Sequence, residues 1–68
     1  MENEIVLKVE GLELSDAKEK ILRRVEQMPG IEYLNVDEQA GTVTIIGGDI
    51  DRPLLEDEIE GMGYRVVG

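Results

Sequence analysis

The stretch Val9-Glu10-Gly11-Leu12-Glu13-Leu14-Ser15-Asp16-Ala17 changes periodicity at its middle, and the rest of the chain is organised around that change. Before it, Ile5, Leu7 and Val9 alternate with Val6, Lys8 and Glu10, the period of a strand with one buried face. Gly11 ends the strand. After it, Ala17, Ile21, Val25 and Met28 recur at helical spacing, and Leu22 widens the stripe. Ser15 is a good N-cap, with Asp16 and Glu19 in the first turn. Arg23 and Arg24 lie toward the other end, so each sign of charge sits where the helix dipole favours it. Pro29-Gly30 stops the helix.

Ile31 to Asp37 reads as a second strand, with Leu34 and Val36 inward and Tyr33 and Asn35 outward. Residues Asp37 to Gly41 make a short hairpin loop. A β-branched third strand runs from Thr42 to Ile46, Val43 and Ile45 facing inward, and Gly47-Gly48 breaks it. Asp51 caps a second helix that tolerates Pro53 in its first turn. Leu55, Ile59 and Met62 form its stripe with Leu54 beside it, and Gly63 suits the position just past its end. Tyr64 to Val67 is a short last strand.

The order is βαββαβ. Both helix stripes need a sheet to cover, and right-handed crossovers leave an α+β, ferredoxin-like sandwich as the simplest solution. Its antiparallel four-stranded sheet has order 4-1-3-2, with both helices on one face. The expected core is Ile5, Leu7, Val9, Ile21, Val25, Leu34, Val36, Val43, Ile45, Leu55, Ile59 and Val66.

Composition bounds the function. The 68 residues make one domain, residues 1–68, with a small core, since chains of this size bury only about 60% of their unfolded surface. With neither Cys nor His, the chain lacks thiolate chemistry, the commonest metal ligand and the usual base near neutral pH. A net charge of −9 argues against nucleic acid and anionic membranes and for basic partners. No apolar run approaches the roughly 18 residues of a membrane span. The expectation is a soluble, cytoplasmic protein or an excised domain, not an enzyme and without a cofactor.

The frame resembles the heavy-metal-associated domain, the module of copper chaperones and of the amino-terminal arms of metal-pumping ATPases. Lys8-Val9-Glu10-Gly11 matches the end of that family's first strand, Pro29-Gly30-Ile31 its Pro-Gly-Val turn, and Asn35-Val36-Asp37 its second strand. Glu58-Ile59-Glu60-Gly61-Met62-Gly63-Tyr64 matches its Ala-Ile-Glu-x-x-Gly-Tyr ending. The family reads Gly-Met-Thr-Cys-x-x-Cys where this chain has Gly11, Leu12 for Met, and Leu14 and Ala17 for the cysteines. The resemblance implies the fold and a link to metal trafficking, but the soft ligands are missing.

Leu14 offers carbon and Ala17 a methyl, so no metal ligand is assigned. Leu14 is expected to fold over the core edge and Ala17 to open the helix stripe, which makes replacement of Leu14 the costlier of the two. Met28 and Met62 read as core filling. The topology gathers Glu13, Asp16, Asp37, Glu38 and Glu60 at one end, where weak binding of a hard cation is conceivable. Lys18, Lys20, Arg23 and Arg24 on helix one face a second helix bearing Glu56, Asp57, Glu58 and Glu60. Mutual attraction between the two helices and docking of a partner are the two readings of this segregation. Glu13, Asp16, Glu56, Asp57 and Glu60 are the candidate docking residues for a basic protein partner. Val6, Tyr33, Ile46 and Val67 lie on the open sheet face, which suits a monomer or a weak dimer.

Three readings of function stand together. The first is a non-enzymatic module that has lost its soft-metal site and serves in protein contact or regulation. The second is metal trafficking with ligands supplied by a partner. The third is a redesigned scaffold without biological activity.

Overall fold

The computed structural model describes residues 2–14 and 16–68, with the side chain of Glu2 not described; the Ser15 cap expected from the sequence lies outside the described residues. The elements follow the expected order: β1 (Glu2–Glu10), α1 (Ala17–Glu26), β2 (Ile31–Asp37), β3 (Thr42–Gly48), α2 (Arg52–Gly61) and β4 (Arg65–Val66). The sheet runs β2-β3-β1-β4, every pairing antiparallel, which is the expected 4-1-3-2 order read from the other edge.

Register puts the apolar set on one face. Leu7 lies opposite Val43, and Val36 opposite Val43 from the other side; Ile45 lies between Ile5 and Leu34. These strand residues share one cluster with Ile21 and Val25 of α1 and Leu55 and Ile59 of α2, so both helices cover the same face. Leu7, Ile21, Val25, Val43, Ile45, Leu55 and Ile59 are wholly buried, and Val9 and Val36 nearly so. Ile5, Leu34 and Val66, expected in the core, are half-buried and pack against its margin. Leu34 and Val66 stand on the two edge strands, where a neighbour is missing on one side.

Two boundaries differ from the sequence reading. β3 does not stop at Ile46: Gly47 pairs with Asn3 and Ile31, and Gly48 with Glu2. The glycines are there because the backbone after α1 crosses directly over them. A Cβ on Gly47 would overlap the Gly30 carbonyl, while the Gly48 amide donates to that same oxygen at 3.1 Å. Glycine inside a strand commonly marks such a close backbone approach. The ladder of β4 is shorter than Tyr64 to Val67, although the Val67 amide still donates to the Lys8 carbonyl at 2.8 Å.

The ends of α1 carry charges that suit the helix dipole, whereas those of α2 do not. Glu19 lies in the first turn of α1, and Arg23 and Arg24 in its last. Asp16 occupies the N-cap position in a left-handed conformation, and Asp51 caps α2 from extended backbone; neither side chain bonds a backbone amide. On the open face of the sheet, Val6, Tyr33 and Val67 are exposed and Ile46 is half-buried, as the alternation requires.

Candidate functional site

The loop from β1 to α1 is built by backbone hydrogen bonds. Gly11 turns at φ 91°, outside the range favoured by residues with a side chain. Its carbonyl accepts the Leu14 amide at 3.1 Å, the Leu14 carbonyl accepts the Ala17 amide at 3.1 Å, and the Asp16 carbonyl accepts the Lys20 amide at 3.0 Å. Leu14 and Ala17 are thus joined across a single turn at the start of α1.

Their burial reverses half of the sequence expectation. Leu14 does not fold over the core edge; it is 59% exposed. Leu12 is the residue driven inward, and it is wholly buried among the core side chains. Ala17 is wholly buried as the first residue of the stripe, as expected. Once the strand period ends at Gly11, neither period assigns a face to Leu12 or Leu14. Leucine in the position of the family's methionine was the one available signal for Leu12.

This loop does not fit a soft metal ion. Such ions are held by thiolate, thioether or imidazole donors, and Leu14 and Ala17 present only carbon. Met28 packs against the core margin beyond the carboxyl end of α1, and Met62 does so beyond the carboxyl end of α2. Among the described residues, no three acidic side chains converge in a way that would hold a cation, so the gathering of Glu13, Asp16, Asp37, Glu38 and Glu60 does not amount to a site. Asp37 is committed elsewhere: its Oδ1 accepts the amides of Gln39 and Ala40, each at 3.0 Å, and so shapes the hairpin.

The carboxylates considered for docking are distributed over two elements. Glu13 and Asp16 are exposed on the loop, and Asp57 and Glu60 are exposed on α2. Glu56 is half-buried and accepts Arg52 Nε at 3.1 Å, which neutralises much of its charge locally. Between the helices, Arg24 donates to Glu58 at 3.3 Å, so part of the opposite charge on α1 and α2 joins the two.

Among the described residues, one hollow lies along α1 beside Met62 and another at the start of α2. The larger, about 340 Å³, is lined by Lys20, Arg23, Arg24, Gln27 and Met62. Its arginines already face carboxylates, Arg23 with Glu19 at 3.6 Å and Arg24 with Glu58. The smaller, about 70 Å³, lies beyond the opposite end of α2 among Met28, Pro29, Ile31, Asp49, Ile50, Asp51, Leu54 and Leu55. In sequence Asp49-Ile50-Asp51 reads simply as a capped helix start.

No family model matches the sequence, and no curated protein does. Solved structures do match. A CsoZ metallochaperone superposes with a TM-score of 0.90 over 100% of both chains at 23% identity. A CopZ metallochaperone gives 0.88 at 25% identity, covering 96% of this chain and 100% of that one. The water-soluble region of the P-type ATPase CopA from Bacillus subtilis gives 0.86 at 28% identity, covering 98% of this chain and 46% of that one. The fold is that of heavy-metal-associated copper-chaperone domains, carried here by a chain without cysteine.

Proposed function

We propose that this chain is a non-catalytic module of the heavy-metal-associated type that carries no soft-metal cargo and acts by contact with a basic protein partner, in a regulatory or docking role linked to metal trafficking. The observation that carries this reading is the loop from β1 to α1, which keeps its turn and its helix start while presenting Leu14 outward and Ala17 inward. Metal transfer with ligands supplied by a partner is less well supported, because neither position offers an atom that could share a soft ion. The net charge of −9, with Glu13, Asp16, Asp57 and Glu60 exposed, supports a positively charged partner.

A competition titration against a chromophoric Cu(I) chelator tests the loss of cargo. The wild-type chain is expected to withdraw no copper from the chelator. Stoichiometric withdrawal by wild type would overturn the proposal.

A further inference from the structure

The small cleft at the amino-terminal end of α2 combines apolar walls with two carboxylates that no cationic side chain pairs among the described residues. Met28, Ile31 and Ile50 are half-buried along it, Leu55 is wholly buried, and Leu54 is 52% exposed although it is a large aliphatic side chain. Asp49 and Asp51 are exposed on the same cleft, and among the described residues neither is in an ion pair. Asp51 stands at an N-cap without using its side chain as a cap. The neighbouring cation, Arg52, is turned to Glu56 at 3.1 Å and so does not neutralise them.

We infer that this cleft receives a lysine side chain of a basic partner protein, its stem against Ile31, Ile50 and Leu54 and its ammonium on Asp49 and Asp51. The size, about 70 Å³, is far below the roughly 300 Å³ and more of sites for free small molecules, and it suits a side chain. Lysine has a flexible four-carbon stem with a compact cation at its tip, which matches an apolar slot with carboxylates at its mouth. An anionic or purely apolar occupant would leave both carboxylates unpaired, and the chain's overall charge repels anions. The contact lies on a different part of the molecule from the loop carboxylates, and it stands or falls independently of them.

The test is an NMR titration of isotopically labelled protein with n-butylammonium chloride, which reproduces the lysine stem and head. Ammonium chloride and 1-butanol serve as probes of charge alone and of apolar surface alone. Saturable shifts concentrated at Ile31, Ile50, Leu54 and Leu55 are expected with butylammonium only. Asp49→Asn with Asp51→Asn should weaken that binding at least fivefold; Asn tolerates the left-handed backbone at position 49, φ 58°, so the variant keeps the fold. Shifts scattered over the acidic surface, equal shifts with butanol, or unchanged affinity in the double variant would overturn the assignment.

Discussion

Gly48 donates its amide to the carbonyl of Gly30 at 3.1 Å, fastening the turn after α1 to the last residue of β3. The neighbouring Gly47 lies against that peptide with no space for a side chain. Gly47→Ala should therefore cost about 2–3 kcal/mol, in the range of core overpacking. Gly61→Ala, in the last turn of α2 with nothing near the added methyl, should instead gain about 0.5 kcal/mol from helix propensity. Urea midpoints for the two variants should move in opposite directions, and a stable Gly47→Ala would show that the two backbones do not touch.

Leu12 and Leu14 are two residues apart and differ wholly in burial. Leu12→Ala should cost about 2–4 kcal/mol, and Leu14→Ala no more than about 0.5 kcal/mol. Equal losses by chemical denaturation would mean that Leu14 also packs inward.

The Ala17 amide bonds the Leu14 carbonyl, so cysteines at these positions would share one turn at a helix amino terminus, where thiolates are stabilised. Leu14→Cys with Ala17→Cys should create a Cu(I) site measurable against a chelator. The cost of the change falls on Ala17, whose buried methyl must grow, at about 1–2 kcal/mol; the exposed Leu14 is nearly neutral. A folded double variant that leaves all copper on the chelator would show that the loop cannot bring two thiolates together.

Arg24 and Glu58 form an ion pair between the helices, both partners partly exposed. Glu58→Gln should lose about 0.2–1 kcal/mol at low ionic strength and progressively less as salt screens the pair. A loss that does not change with salt would place its origin in packing.

Docking through the exposed carboxylates should appear as rate. A positively charged metallochaperone of the same fold should associate more slowly as salt rises, and more slowly still with Asp57→Asn and Glu60→Gln. Glu56→Gln should matter less, because Arg52 already occupies that carboxylate. A rate that does not respond to salt would remove the electrostatic basis of the contact.

The fold was legible because its signals agree across levels. Period-two strands, two helical stripes and the stops at Gly30 and Gly63 each point to the same sandwich. The loop was less legible because Leu12 and Leu14 sit in a turn, where hydrophobicity carries no face information. Gly47-Gly48 misled for a related reason: strand composition describes a residue's own side chain, whereas these two glycines answer to a backbone from elsewhere in the chain. Asp49 and Asp51 looked like helix-start residues, and only the packing of Met28, Ile31 and Leu54 around them made a cleft.

The centre of the sheet also sets the timing of folding. β1 has no partner close to it in sequence: its ladder joins Glu2 to Gly48 and Lys8 to Thr42, while β2 and β3 meet through a hairpin of a few residues. Closing a long loop costs entropy before any contact offsets it. We expect the hairpin and the helices to organise early and β1 to dock on them afterwards, with β4, which pairs with β1 alone, following it. Substitutions in the β1 ladder should consequently slow folding more than equally costly substitutions in the hairpin if β1 docking forms the barrier, a distinction that kinetics can read and equilibrium stability cannot.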